Sequence, residues 1–149
     1  MKRMLFGACL VMAGCAPGAP GPSTIRLGED ACAYCRMTIV GIETAAQIVS
    51  PGAEPIMFDE IGCLSDYLAD RPLDADATVF VADHRSGEWI DARSAVFTKT
   101  SLPTPMSSGL LAHADLTSRD ADRSAPAARE GVRVAAADVL HPQSMSARP

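Results

Sequence analysis

The sequence predicts an α+β protein in which two small ββαβ-like units follow an N-terminal signal and a Pro/Gly-rich tether. Short alternating or β-branched apolar runs mark strands, apolar residues spaced three and four apart mark a helix, and this order repeats loosely after roughly 50 residues. The chain has 149 residues, which suits one compact domain or two very small ones. The predicted divisions are a signal peptide over residues 1–14, an anchor and flexible tether over 15–29, a first unit over 30–83, a second unit over 84–140 and a disordered tail over 141–149.

The first fourteen residues have the layout of a secretory signal peptide. Two basic residues precede an apolar run over residues 4–12 and a small-residue cleavage site, and the run is too short to span a bilayer. The stretch Met12-Ala13-Gly14-Cys15 looks like a bacterial lipobox, in which Cys15 becomes the lipidated first residue of the mature chain. An ordinary signal peptide followed by a chance cysteine is the alternative.

The lipobox predicts a protein at the periplasmic face of a bacterial membrane, in contact with that membrane through lipid at Cys15. Ala16 rather than aspartate follows the cysteine, which is compatible with the outer membrane, and residues 16–23 form a Pro/Gly-rich spacer. Loss of the signal removes two of 13 basic residues and none of the 18 acidic ones. Since the mature chain is acidic, no nucleic-acid partner is expected.

In the first unit, apolar alternation and short apolar runs predict strands over residues 37–42, 45–49, 55–58 and 78–82. Asp59 is suited to cap a helix, and Ile61, Leu64 and Leu68 form the apolar stripe of that helix. The helix is expected to end before Arg71 and the proline that follows it.

In the second unit, strands are predicted over residues 89–91, 95–99 and 132–134. A Pro-rich loop leads to Met106 and to a helix placed between residues 107 and 116. Residues 115–130 are expected to form a helix or a mobile surface segment. Trp89 is predicted to be a core anchor between the two units.

The sulfur-bearing residues outside the signal are the main functional feature. Of five cysteines, Cys9 leaves with the signal and Cys15 is the lipid site, so three remain in the folded part. An odd number of cysteines in an oxidising compartment leaves at least one thiol free or bound to another group. Clustered thiolates and thioethers favour Cu(I), and replaceable thioethers suit a carrier that must release its metal. The candidate ligands, in order of weight, are Cys35, Met37, Met106, Cys32 and Cys63.

Each candidate has an expected position. Cys35 and Met37 alternate onto one side of an extended strand, Met106 closes the site from the second unit, and Asp30 tunes the charge. Cys63 lies about one turn into the predicted helix, where the helix dipole favours the thiolate.

Other roles for the same residues stay open. Cys32 and Cys35 are also compatible with a disulfide or a redox motif, which would make the chain a periplasmic thiol-disulfide oxidoreductase. Three cysteines and His84 are compatible with a small structural zinc site. Met37 and Cys63 are also explained as apolar packing, and Met106 as a single exposed apolar residue.

Catalytic patterns are missing from the sequence, which contains no nucleophile elbow and no Gly-rich phosphate loop. We therefore expect a protein that is not an enzyme. His84 and His113 lack ligand-like spacing to each other and are predicted to be surface or hydrogen-bonded histidines.

The order of motifs resembles the NosL family of periplasmic lipoproteins, which supply copper during assembly of nitrous oxide reductase. The motifs are the lipobox, Asp30-x-Cys32-x-x-Cys35-x-Met37, Phe58-Asp59-Glu60-Ile61-Gly62-Cys63-Leu64, Gly87-Glu88-Trp89-Ile90-Asp91-Ala92 and Pro105-Met106. The resemblance covers most of residues 30–140. It implies a pair of ββαβ units, Cu(I) as the bound metal, and partners that receive copper for nitrous oxide reductase.

Two positions differ from the family pattern. The family usually has glycine between the motif cysteine and methionine, where this chain has Arg36. It also usually has glycine after the methionine that matches Met106, where this chain has Ser107.

The lipid anchor is tested by changing Cys15 to serine. Because the anchor is expected to be the chain's membrane contact, the Cys15→Ser protein should leave the membrane fraction. Fractionation of cells, followed by detection of the protein in the soluble and membrane fractions, measures this. Unchanged partitioning would show that the anchor lies elsewhere.

Overall fold

The computed structural model describes residues 20–142. It contains two antiparallel sheets, with strand orders β2-β1-β3-β4 and β6-β5-β7, and three short helices. This architecture confirms the α+β prediction. The elements are β1 (Ala46–Val49), β2 (Ile56–Phe58), α1 (Ile61–Asp70), β3 (Thr78–Ala82), β4 (Trp89–Asp91), β5 (Val96–Lys99), β6 (Leu110–His113), α2 (Leu116–Ala121), β7 (Val132–Val134) and α3 (Ala136–Leu140), with a 3₁₀ turn at Pro126–Ala128.

The first sheet is built around β1, whose four residues are all buried. Ala46 lies opposite Phe58 of β2 on one side and opposite Val81 of β3 on the other. β4 pairs with the far side of β3, so Trp89–Asp91 belongs to this sheet although its residues follow the start predicted for the second unit. The β-branched and aromatic residues of β3 favour this position between two neighbours.

The second sheet is smaller and has β5 in its centre. Phe97 of β5 lies opposite Ala112 of β6 and Val134 of β7. The helices α1 and α3 pack against each other, and one cluster of buried residues extends through both sheets. This cluster includes Phe58, Leu64, Val81, Phe97 and Val139. Since both sheets contribute to one core, neither buries its apolar face without the other.

Helix α1 begins and ends close to the predicted positions, but Asp59 does not cap it. The N-cap residue is Glu60, without a side-chain cap hydrogen bond, and Arg71 follows the last helical residue. Asp59 is turned toward Cys35 instead. Ile61, Leu64 and Leu68 are buried as the apolar stripe predicted, and Cys63 is buried with them.

Two predicted elements are wrong. Residues 37–42 form no regular strand, because only an isolated bridge between Ala31 and Thr38 is present. The helix placed between residues 107 and 116 is instead β6, which pairs with β5. Ser107 and Gly109 have φ of 62° and 61°, and these left-handed backbones interrupt a helix. A helix begins only at Leu116, where the Asp115 carboxylate accepts a hydrogen bond from the Ser118 amide at 2.7 Å.

The segment assigned to the tether is bound to the body from Ser23 onward. The Ser23 amide donates to Gln47 Oε1 at 2.8 Å, and Gln47 Nε2 donates to the Ser23 carbonyl at 3.0 Å. Ile25 is buried against Ile39 and Ala45, and Trp89 packs on this small cluster. Trp89 therefore supports the N-terminal segment and does not lie between the two units as predicted.

The predicted signal peptide, the predicted lipid site Cys15, residues 16–19 and most of the predicted tail, residues 143–149, lie outside the described residues. Within residues 20–142, no helix has the length and apolarity needed to cross a membrane.

Asp83 joins the two sheets. Its Oδ1 accepts hydrogen bonds from the Arg85 and Ser86 amides at 2.9 and 3.1 Å, which closes the turn between β3 and β4. Its Oδ2 accepts from the Ala114 amide at 2.8 Å and from the Ser118 hydroxyl at 2.7 Å, beside β6 and in α2. Four hydrogen bonds satisfy one buried carboxylate, so the geometry of the turn and of α2 is fixed together.

Removal of the Asp83 carboxylate should destabilise the protein strongly. We expect Asp83→Ala to lower the free energy of unfolding by about 3 kcal/mol, because four donors lose an ionised acceptor. Asp91→Ala is the control: Asp91 is a more exposed carboxylate that binds Arg93, and its loss should change stability by less than about 1 kcal/mol. Urea unfolding measures both, and an equal effect of the two changes would contradict the role of Asp83.

The same experiment has a defined pH dependence. Burial raises the pKa of Asp83, but its hydrogen bonds from Ala114, Ser118, Ser86 and Arg85 outweigh burial and hold the pKa below the usual 3.8. The stabilisation from this group is therefore complete above pH 3.8 and is lost as the pH falls through the folded-state pKa. The difference between wild type and Asp83→Ala should narrow below about pH 4.

Candidate metal centre

Three thiols and one carboxylate converge at the edge of the first sheet. The potential ligand atoms of Cys32, Cys35, Cys63 and Asp59 all lie within 4.8 Å of one another. All three cysteines are free thiols. Cys32 and Cys63 are buried, whereas Cys35 is partly exposed. Sulfur-rich donor groups at this spacing have the composition of a metal site.

A tight turn, and not a strand, positions the first two thiols. The Cys32 amide donates to the Met37 carbonyl at 2.8 Å, and the Arg36 amide donates to the Cys32 carbonyl at 3.1 Å. The expectation that Cys35 and Met37 alternate along an extended strand is therefore wrong. The Ala33 amide donates to the Met57 carbonyl at 2.8 Å, which holds the turn against β2.

Cys63 comes from the first turn of α1 and faces the core. Burial raises the pKa of the Cys63 thiol, and the neighbouring Cys32 and Asp59 raise it further. Burial also raises the pKa of Cys32. The expectation that the helix dipole favours a thiolate at Cys63 is therefore wrong, because the loss of solvation and the nearby negative groups are the larger effects. Without metal, both groups are neutral thiols at neutral pH.

Asp59 is the site residue that sequence reasoning assigned elsewhere. Its two carboxylate oxygens lie 3.6 and 3.5 Å from Cys35 Sγ, and its carbonyl accepts a hydrogen bond from the Thr44 hydroxyl at 2.9 Å. Its position four residues before Cys63 was the available signal, because a residue just before a helix and one in its first turn lie close together. The capping preference of aspartate masked that signal.

The two candidate methionines are both exposed. Met37 and Met106 have 42% and 49% of their surface exposed, which excludes a role as buried packing for either. A cavity of about 220 Å³ is lined by Met37, Asp59 and Pro105, among others. Met37 and Pro105, the residue before Met106, therefore border the same cavity as Asp59 of the cluster.

The loop that contains Met106 lies directly against the start of α1. A Cβ atom placed on Gly62 would come within 2.4 Å of Ser108 Cβ, so glycine allows the loop to approach. The Thr104 hydroxyl accepts a hydrogen bond from the Gly109 amide at 3.0 Å, which closes the loop. The loop between β5 and β6, which contains Met106, thus approaches the residue before Cys63 at Ser108.

Glu60 adds a second buried carboxylate beside the site. It is fully buried, and neither side-chain oxygen has a hydrogen-bond partner among residues 20–142. A buried acidic side chain without partners is costly, although its oxygens are not among the ligand atoms that converge at the cysteine cluster. Asp30 is predicted to tune the charge of the metal site. Its carboxylate accepts hydrogen bonds from the Arg26 amide and guanidinium at 2.7 and 2.6 Å.

His84 is not part of the cysteine cluster. Its Nδ1 lies 2.7 Å from Asp122 Oδ2, and His113 Nε2 lies 3.1 Å from the same oxygen. His84 is therefore too far from the three cysteines to complete a zinc site with them. The fourth residue of the cysteine cluster is Asp59. The histidines are predicted to be surface or hydrogen-bonded residues. Both are hydrogen-bonded to Asp122, and His113 is completely buried.

Two residues of the site loops have left-handed backbones. Arg36 has φ of 68° and Ser107 has φ of 62°, and these are the two non-glycine residues with positive φ in the described part of the chain. Both stand where the NosL pattern usually has glycine. Since glycine adopts this conformation without steric conflict, the geometry explains the glycines of the pattern.

Comparisons with known proteins support the fold. No family model matches the chain, and no curated protein sequence matches it. The chain is similar to the crystal structure of the copper chaperone NosL from Shewanella denitrificans, with a TM-score of 0.59 and 18% sequence identity over 78% of this chain and 94% of that chain. The similarity shows a NosL-like fold, and the cluster of three cysteines and one aspartate indicates metal binding.

Glycine at either left-handed position should stabilise the protein. We expect Arg36→Gly and Ser107→Gly each to raise the free energy of unfolding by about 1 kcal/mol, because glycine removes the left-handed penalty. Ala53→Gly is the control, since Ala53 is exposed in a turn without positive φ. It should lower the free energy of unfolding by up to about 1 kcal/mol. Urea unfolding measures the free energy of unfolding of each variant. If Arg36→Gly and Ser107→Gly both lower it, the proposed left-handed strain is contradicted.

Proposed function

We propose that this chain is a Cu(I) carrier, held by lipid at Cys15 on the periplasmic face of a bacterial membrane. The observation that carries the proposal is the convergence of Cys32, Cys35 and Cys63 with Asp59, beside exposed Met37. Thiolates and thioethers are the ligands that Cu(I) prefers. The NosL-like fold supports the proposal because the similar structure is that of a copper chaperone.

The distribution of exposure suits a protein that accepts and releases metal. Cys32 and Cys63 form a buried base, Cys35 is partly exposed, and Met37 and Met106 are exposed at the outside. The ligands of a partner can therefore approach the metal from the methionine side and displace the weaker thioethers first. Transfer by stepwise ligand exchange needs no opening of the core.

The destination of the copper is proposed from the sequence motifs. The lipobox and the ordered Cys, Met and Trp motifs resemble the NosL family, so we assign the recipient to the assembly of nitrous oxide reductase. Copper is the cargo in this assignment, and the protein is not an enzyme. Assembly proteins of that reductase are the expected partners, and an outer-membrane location is favoured.

A thiol-disulfide oxidoreductase is less well supported. An attacking cysteine in such proteins has a lowered pKa, whereas burial raises the pKa of Cys32. Cys63 and the exposed methionines would also have no role in that reaction. Structural zinc binding is the better second candidate, because Asp59 supplies an oxygen ligand that zinc accepts.

Affinity measurements with Cu(I) test which sulfurs bind the metal. We expect Cys35→Ser to weaken Cu(I) binding most, since it removes a charged ligand, and Met106→Leu to weaken it by about tenfold with stability intact. Met57→Leu is the matched control, because Met57 packs in a separate small cluster. Competition of the purified, reduced protein against a Cu(I) chelator gives the affinities. Wild-type affinity in Met106→Leu would restrict the site to residues 30–63.

The same titrations separate copper from zinc through Asp59. A carboxylate is a hard ligand, so Asp59→Asn should change Cu(I) affinity by less than about threefold if the metal is held by sulfur. A zinc site would lose about tenfold or more in Zn(II) affinity. Binding of Zn(II) in preference to Cu(I) by the wild type would replace the copper proposal with structural zinc binding.

A further inference from the structure

A second convergent group of metal-binding side chains lies at the junction of the two sheets. His84 follows β3 in the turn to β4, His113 ends β6, and Asp122 follows the last residue of α2. The potential ligand atoms of these three residues lie within 4.8 Å of one another. The separations in sequence are too irregular to indicate a site, and only the fold brings the three side chains together.

The geometry of the three groups is convergent. His84 Nδ1 and His113 Nε2 both approach Asp122 Oδ2, at 2.7 and 3.1 Å. The two imidazole ring centres are 5.9 Å apart and inclined by 52°. Around a tetrahedral zinc ion with bonds of about 2.0 to 2.1 Å, neighbouring ligand atoms lie about 3.4 Å apart. Small shifts of these side chains would therefore accommodate an ion.

Other hydrogen bonds hold Asp122 in place. Its Oδ1 accepts from the Ser124 hydroxyl and amide at 2.6 and 2.9 Å and from the Ala125 amide at 3.3 Å, which leaves Oδ2 to the histidines. The carboxylate is therefore held in a fixed orientation with one oxygen turned to both imidazoles, as hydrogen bonds around a metal ligand do.

The histidines are held from the backbone as well. The His84 amide donates to the Ala112 carbonyl at 2.8 Å, so the turn that contains His84 is fixed beside His113. The side chain of His84 is 14% exposed, whereas those of His113 and Asp122 are 0% and 2% exposed. His84 is therefore the most accessible of the three residues.

We propose that His84, His113 and Asp122 form a second metal site, for a borderline divalent cation such as Zn(II). Two imidazole nitrogens and one carboxylate oxygen are ligands that Zn(II) accepts, and they contain no sulfur to select Cu(I). The site is separate from the cysteine cluster in both residues and chemistry. An ion there replaces the protons on His84 Nδ1 and His113 Nε2, which are released to solvent, and ties β6 and α2 to the turn after β3.

The buried, unpaired His113 Nδ1 favours neither the metal-free nor the metal-bound state. It is buried and has no hydrogen-bond partner among residues 20–142. When Nε2 donates to Asp122, Nδ1 is an unpaired acceptor, and when Nε2 binds a metal, Nδ1 is an unpaired donor. Because an unpaired buried group is present in both states, its cost largely cancels.

Zinc stoichiometry tests the proposal with the whole, reduced protein. His84→Gln removes the most accessible ligand and leaves the buried pair, so the fold should persist. We expect wild type to bind one more Zn(II) ion per chain than His84→Gln, whether or not the cysteine cluster also binds zinc. His141→Gln is the matched control, because His141 is exposed and directly follows the last residue of α3. This variant should retain the wild-type zinc stoichiometry.

Thermal unfolding supplies an independent readout. Zn(II) should raise the melting temperature of wild type and of Cys35→Ser by an increment that His84→Gln lacks, because binding to the folded state stabilises it. Equal zinc stoichiometry and equal stabilisation in wild type and His84→Gln would overturn the second site. This result would not affect the proposed Cu(I) carrier function, which is measured separately by chelator competition with the cysteine variants.

Discussion

The buried carboxylate of Asp83 is the interaction on which the arrangement of both sheets depends. One oxygen closes the turn after β3, and the other binds the start of α2 and the residue after β6. The first sheet and the second are thereby held in one orientation around a shared core. The position of the Met106 loop beside α1 and the meeting of His84 with His113 both follow from that orientation, because each joins residues of different sheets.

Three local features of the chain assemble the cysteine cluster, which has the composition of a metal site. A tight turn supplies Cys32 and Cys35, the hydrogen bond from Ala33 to Met57 fixes that turn on β2, and the first turn of α1 supplies Cys63. Burial keeps two thiols protonated until a metal displaces their protons. The cluster is therefore buried at Cys32 and Cys63 and partly exposed at Cys35.

Local strain accompanies the loops that carry the sulfurs. Arg36 and Ser107 occupy left-handed backbones that glycine adopts freely. Arg36 also lies between Cys35 and Met37, so the turn that supplies two of the thiols contains a positively charged residue.

The sequence by itself determined the α+β class, the strands β1 and β3, the apolar stripe of α1 and the sulfur groups available to a metal. These features depend on residue chemistry and on periodicity within one element. Only the tertiary structure decided that Leu110–His113 is a strand and that residues 37–42 are not, since strand formation needs a partner at a matching register. The tertiary structure also places the Asp59 carboxylate near Cys35 and brings His84, His113 and Asp122 together. These contacts join segments far apart in the chain, and burial and convergence of that kind leave no periodic trace in the sequence.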